Sequence, residues 1–210
     1  MNHKNSNCTI YIVRHGETEF NVANIMQGHT DSPLTETGVN QAKALGEVFK
    51  DINFDVVFSS DSLRARRTAE FILSDKNLMI NTSKILRERN YGKYDGGAAS
   101  IFREENKDKF EKIKTLNRFE KRMINITPDV ESDEEMYNRL VPLLRELAVA
   151  HTNKTVLVTT HGGIIRVLLS YLGWSGEEDL KSGSVKNTAY VKLFSDGTDF
   201  IIDDVQGVDK

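Results

Sequence analysis

Short runs of β-branched and aromatic residues alternate along this chain with longer stretches whose apolar positions recur every three or four residues. Thr9-Ile10-Tyr11-Ile12-Val13 is continuous and apolar, bounded by polar residues before it and a glycine turn after it, which predicts a buried strand. Gly38–Lys50 carries a helical stripe at Val39, Ala42, Leu45, Gly46, Val48 and Phe49, with Thr35-Glu36-Thr37 as capping material. Asp55–Ser59 predicts a second strand, followed by a helix over Ser62–Leu73. Ser132–Ala150 predicts a long helix: Ser132 and Glu135 have capping-box spacing, and Pro142 is expected to kink or restart it. Thr155–Thr160 predicts a strand and Ile164–Leu172 a helix. Thr188–Phe194 and Phe200–Asp203 predict two closing strands that turn at Asp196-Gly197. Strands alternating with helices give an α/β fold, a mainly parallel sheet flanked by helices on both faces, in a single domain over 1–210.

Between Gly96 and Asp129 the texture changes. Thirteen charged residues fall in Arg103–Arg122, with Phe110, Ile113 and Phe119 as an apolar stripe. One or two amphipathic helices are expected there, forming a helical cap inserted at about 97–130. Such a segment is either a solvated cap or a lid over a site.

Composition narrows the function classes. The 210 residues are 39% hydrophobic and 28% charged, with formal net charge -3, so no global basic field favours nucleic acid or an anionic membrane. The apolar runs are too short to span a bilayer, and Met1–Cys8 lacks a secretory apolar stretch. A lone cysteine, Cys8, cannot form an internal disulfide and is read as a packing residue. A cytoplasmic location is expected. Oligomeric state is not encoded in any of these features; a homodimer is the assembly entertained.

Three expected strand ends carry polar clusters: Arg14-His15-Gly16-Glu17-Thr18, then Ser59-Ser60 with Arg64 one turn into the next helix, then Thr160-His161-Gly162-Gly163. In a parallel sheet these ends share one edge, so two histidines and two arginines converge on one crevice. Guanidiniums match phosphate oxygens and stay charged. Glycines at a helix N-terminus let backbone N–H groups approach the same anion. Arginines beside an imidazole disfavour its protonation and leave a nucleophilic nitrogen. A carboxylic acid must then serve the leaving group, and Glu88 in Leu86-Arg87-Glu88-Arg89-Asn90-Tyr91-Gly92 is the candidate. Arg87 and Arg89 are expected to face solvent or the substrate rim, and Arg66 and Arg67 to be solvated. His3, His29 and His151 read as tail, loop and helix-end residues, with His29 a candidate for the pocket mouth.

These segments resemble the histidine phosphatase (phosphoglycerate mutase-like) superfamily. Ile12-Val13-Arg14-His15-Gly16-Glu17-Thr18 resembles its Arg-His-Gly signature, and Gln27-Gly28-His29-Thr30-Asp31-Ser32-Pro33-Leu34-Thr35 its next loop. Ser59–Glu70, Leu86–Gly92, Glu131–Arg139 and Thr160–Arg166 follow in the family's order. The resemblance implies His15 as phosphate acceptor and Glu88 as proton donor. It implies Arg14, Arg64 and His161 as the phosphate pocket, Asn21 and Gln27 at its edge with Gly28 and Gly162 beside the substrate, and neither metal nor cofactor. The expected substrate is a small phosphorylated metabolite. The mutase branch carries a longer loop with a proline cluster, whereas here no proline lies between Pro33 and Pro128. That favours hydrolysis over phosphoryl transfer of the mutase type, although Glu88-Arg89-Asn90-Tyr91-Gly92 echoes the mutase pattern.

Two other classes compete. A metal hydrolase built on His15, His161 and Glu88 would set a dication beside two arginines, and no His-x-x-x-His spacing is present. A non-catalytic module binding phosphorylated ligands would use the same pocket.

Overall fold

The computed structural model describes residues 7–176 and 180–210, so His3 lies outside the described residues. Six strands form one sheet in the order β3-β2-β4-β1-β5-β6. They are β1 (Cys8–Arg14), β2 (Val56–Ser60), β3 (Ile80–Ser83), β4 (Thr155–Thr160), β5 (Val185–Ser195) and β6 (Phe200–Val208). β1, β2, β3 and β4 run parallel, while β5 and β6 are antiparallel. The eight α-helices among the described residues are α1 (Glu19–Val22), α2 (Glu36–Val48), α3 (Leu63–Ile72), α4 (Ala99–Glu105), α5 (Lys107–Lys114), α6 (Arg118–Met123), α7 (Asp133–Ala150) and α8 (Gly162–Tyr171).

Alternation along the central strands separates two cores. Ile10 and Ile12 of β1, with Val156 and Val158 of β4, pack against α7 and α8 through Met136, Leu140, Leu144, Ile164, Ile165 and Leu168. Tyr11, Val13 and Leu157 point the other way and pack with Ala42, Leu45, Phe49, Ala69 and Ile72. Both faces are therefore covered, which is why β1 and β4 read as continuous apolar runs instead of alternating ones. A third, smaller cluster of Tyr94, Phe102 and Val130 belongs to the charged segment.

Element boundaries move by one to three residues from the sequence expectation in the clear cases. The Ser132–Glu135 capping box is formed, and α7 continues unbroken through Pro142 rather than restarting there. The loss of one helical hydrogen bond is outweighed by burial of the helix face that carries Met136, Leu140 and Leu144. β3 was not expected; its Asn81 and Thr82 are exposed, so no apolar run betrays it. The charged segment folds as three helices, not one or two. Phe102 is buried in it, with the polar Asn106 and Arg122, and Phe119, assigned to the apolar stripe, is 74% exposed. The antiparallel pair runs longer than expected, with irregular pairing between Val185 and Tyr190, where Thr188 takes a positive φ of 56°.

Ser132→Ala removes a side chain that accepts the Glu135 N–H, at 3.1 Å. It is expected to lower unfolding free energy by about 1 kcal/mol, read from urea midpoints at unchanged slope.

Candidate active site

The parallel register sets the site. Arg14 pairs with Thr160 across β1 and β4, so the residues that follow them, His15 and His161, leave the sheet side by side. The His15 N–H continues the ladder by donating to the Thr160 carbonyl at 3.0 Å. The two imidazoles meet edge to face with centroids 5.4 Å apart.

His15 is oriented by its own neighbour. Nδ1 lies 2.7 Å from the Gly16 carbonyl oxygen. A carbonyl only accepts, so Nδ1 carries the proton, and the lone pair of the neutral ring is on Nε2. The Gly16 peptide is fixed in turn, its N–H donating to Thr68 Oγ1 at 2.9 Å. Thr68 itself donates to the Arg64 carbonyl at 2.8 Å. Gly16 also packs on the start of α2, where a Cβ would overlap the Gly38 carbonyl oxygen. The Asn187 side-chain amide donates to the His15 carbonyl at 3.1 Å.

Arg64 is 1% exposed. It donates to the carbonyls of Thr30 (2.7 Å) and Gly28 (2.9 Å) and pairs with Asp31 (2.9 Å). Arg14 lies over the start of α8: a Cβ on Gly162 would stand 3.2 Å from its Nε, so the glycine is what lets the guanidinium lie there. Arg14 Nε, Arg64 Nε and His161 Nδ1 are buried and have no hydrogen-bond partner among the described residues. Glu88 reaches the same place. Its Oε2 accepts from the Gly163 N–H and its Oε1 from the Arg89 N–H, at 2.9 and 2.8 Å. A Cβ on Gly163 would overlap Glu88 Oε1, so this approach also requires glycine.

Burial drives the His15 pKa well below the ordinary imidazole value, and the Arg64 and Arg14 charges push it the same way against the Gly16 hydrogen bond. Burial likewise depresses His161, with Arg64, His15 and Arg14 adding to it. Both rings are neutral at pH 7. Burial lowers the Arg14 pKa, and the Glu88 carboxylate opposes that shift.

A cavity of about 830 Å³ collects these groups. Of the residues expected from sequence, Arg14, His15, Asn21, Gln27, Gly28, Arg64, Glu88 and Gly162 line it. His161 stands behind the wall, fully buried, with Nε2 2.9 Å from Ser60 Oγ. Three of the expected residues do structural work as well. Gln27 Nε2 donates to Thr18 Oγ1 (2.8 Å), and the Gly28 carbonyl holds Arg64. Asn21 Oδ1 accepts from Thr18 N and Asn187 Nδ2, which leaves Asn21 Nδ2 as the donor for the cavity. His29 is exposed, its Nε2 3.0 Å from the Glu88 carbonyl.

Arg87, still partly exposed, pairs with Asp61 at 2.6 Å, and Arg89 lines the cavity, as the rim alternative had it. Neither partner could be read from the sequence: Arg89 is 12% exposed and pairs with Asp133, which also pairs with Arg166 at 2.7 Å. Burial opposes ionisation of Asp133, but Arg166 and Arg89 outweigh it and hold its pKa low. Arg66 and Arg67 are solvated, as expected, and pair with Glu70. Sequence reasoning missed Thr68, Asn187 and the Asp133 cluster. Thr68 carried a usable signal, lying one helical turn beyond Arg64; Asn187 lies on the irregular start of β5 and carried none. A shallower hollow of about 540 Å³, lined by His29, Glu131, Glu135 and Arg139, contains neither imidazole of the pair nor Arg14 or Arg64.

A sequence-family model described as "Histidine phosphatase superfamily (branch 1)" matches residues 10–206. An "uncharacterized phosphatase", PhoE, of Bacillus subtilis (strain 168) is 35% identical over 178 residues, covering 85% of this chain and 83% of its own. A "broad-specificity phosphatase" of Saccharomyces cerevisiae is 31% identical, covering 96% of this chain and 86% of its own. The crystal structure of a phosphoglycerate mutase from Bacillus anthracis superposes with a TM-score of 0.83 at 27% identity, covering 97% of this chain and 95% of its own.

Depressed histidine pKa values have a sign that can be checked. The neutral rings stabilise the fold fully above the unfolded-state value of about 6.5, and the stability is lost as pH falls from there toward the folded values. Unfolding free energy is expected to drop between pH 7 and pH 5, by up to about 1.4 kcal/mol per pH unit for each ring. A His15→Asn/His161→Asn variant should show a flatter profile in urea titrations over the same range.

Proposed function

The chain belongs to the histidine phosphatase superfamily, branch 1, and from that premise we propose that it is a phosphomonoesterase acting on small phosphorylated metabolites through a phosphohistidine at His15. One observation carries the reading: Nδ1 of a neutral His15 is committed to the Gly16 carbonyl, so the free lone pair is on Nε2, in the field of Arg14 and the buried Arg64. In the first step Nε2 attacks phosphorus, the bond from phosphorus to the leaving oxygen breaks, and the Glu88 carboxylic acid protonates that oxygen. In the second, the Glu88 carboxylate takes a proton from water, whose oxygen attacks phosphorus. The P–N bond breaks, releasing inorganic phosphate and the neutral ring. Each Glu88 oxygen keeps a second lone pair beyond its backbone contact, so the carboxyl can hold or give a proton in place.

Arg14 and Arg64 bear the equatorial charge, with Asn21 Nδ2 as an edge donor. With a serine hydroxyl donating to His161 Nε2, its Nδ1 becomes a further donor to the phosphoryl group. Gln27, Gly28 and Gly162 hold the walls to which the arginines are fitted. The segment at about 97–130 acts as a cap on a single domain, and the protein works in the cytoplasm. Hydrolysis is favoured over mutase transfer because a cavity of about 830 Å³ leaves room for water beside a small substrate. The complete set of His15, Glu88, Arg14 and Arg64 favours an enzyme over a binding module.

The purified protein is expected to hydrolyse p-nitrophenyl phosphate at a rate unchanged by EDTA. His15→Ala should abolish turnover, and Arg14→Gln should lower kcat by roughly 10²–10³-fold. Failure of the unaltered protein to hydrolyse any of a panel of phosphomonoesters would leave the binding module as the better reading. Loss of activity in EDTA would favour the metal hydrolase.

A further inference from the structure

The cavity extends well past the groups that would hold a phosphoryl oxygen. Its far wall comes from α4, α5 and α6 and the strand of chain after them, and it mixes two chemistries. Phe102, Phe110, Ile113 and Ile126 give it an apolar lining. Arg103, Lys107 and Lys121 line the same space. These three make no ion pair or side-chain hydrogen bond among the described residues, whereas the neighbouring Lys114 is paired with Glu111 at 2.6 Å. Among the described residues that line the cavity, eight arginines and lysines face three carboxylates, in a chain whose net charge is -3.

That local excess is larger than phosphoryl binding needs. Arg14 ends β1 beside His15, Arg64 lies in the first turn of α3 and pairs with Asp31, and Arg89 and Arg166 share the single carboxylate of Asp133. Among the described lining residues the cations of α4–α6 have no carboxylate from their own helices apart from Glu111, already paired with Lys114, so they repel one another in a shared space. Arg103, Lys107 and Lys121 are all exposed, and side chains of this length can cover apolar surface while keeping the charged head in water. A ligand that complements this surface has an apolar body and a negative charge at the end away from its phosphoryl group.

We infer that the preferred substrate is a phosphomonoester whose leaving group has an apolar body and a second anionic group, held by Arg103, Lys107 and Lys121. This rests on the hydrolase reading for its chemistry, but it specifies the leaving group, which that reading leaves open. The second anion can be a carboxylate or another phosphate; the wall recognises charge.

Equilibrium binding separates the two. Naphthalen-2-ylmethyl phosphonate, which cannot be hydrolysed, is titrated calorimetrically beside analogues carrying a carboxylate or a second phosphonate at position 6. Exposed ion contacts are individually weak, and three together are expected to give about tenfold tighter binding of the anionic analogues. The preference should shrink to about twofold or less in an Arg103→Gln/Lys107→Gln/Lys121→Gln variant, and likewise in 1 M salt, where the Debye length is about 3 Å. Lys121→Glu, a single surface change, should weaken the anionic analogues more than the parent. A preference for carboxylate alone or for phosphonate alone identifies the anion and supports the inference. Equal binding of parent and anionic analogues, or a preference that persists in the triple variant, overturns it. Turnover of 2-naphthyl phosphate reports separately on the hydrolase reading, whatever the binding ratio.

Discussion

Four basic side chains, Arg14, Arg64, His15 and His161, are crowded at the ends of adjacent strands, and they cannot all be charged. The arginines keep their charge because guanidinium loses a proton only at extreme pH. The imidazoles give theirs up, since burial and the nearby guanidiniums both disfavour the cationic ring. The result is a neutral imidazole inside a positive field, with the hydrogen bond to Gly16 deciding which nitrogen is free. On the proposed reading that field brings a phosphate dianion in, and the free nitrogen is the one it meets.

The fold's part is to make that crowding tolerable. Arg64 would be costly to bury alone, and three groups of the loop before α2 receive it: the carbonyls of Gly28 and Thr30 and the carboxylate of Asp31. Asp31 also accepts the backbone N–H of Leu63, so it caps the helix whose arginine it pairs. Glu88 is brought in by the start of α8, where Gly163 leaves space for a carboxylate against the backbone. Thr68, Asn187 and Gly16 then fix the His15 peptide on both sides. Much of the polar machinery around the site thus serves to hold a few groups still.

What was legible in the sequence follows from this. β1, β2 and β4 are buried on both faces, so their apolar runs announce them, and the glycine and basic residues directly after β1 and β4 mark the crevice. β3 was hidden because its exposed Asn81 and Thr82 break the apolar signal. The three-helix division of 99–123 was hidden for a different reason: its short helices bury few residues each, so charge dominates the pattern and Phe119, an aromatic at plausible spacing, turns outward. At the site, residues next to a motif could be named, while partners from distant segments could not. Asn187 contacts His15 across 172 positions. Arg89 was read as facing solvent or the rim, and nothing near it in sequence reveals that Asp133 will be its neighbour in space.

On the proposed reading the site divides into an end that holds a phosphoryl group, set by the residues at the ends of β1 and β4, and a wall for the leaving group, set by α4, α5 and α6. Capture of the intermediate tests the first part most directly. Protein mixed with a turned-over phosphomonoester, quenched in alkali within the turnover time and digested for mass spectrometry should carry one phosphoryl group on His15 Nε2, lost on brief acid treatment. Continued turnover with no such adduct on His15, or an adduct on another residue, would contradict the account.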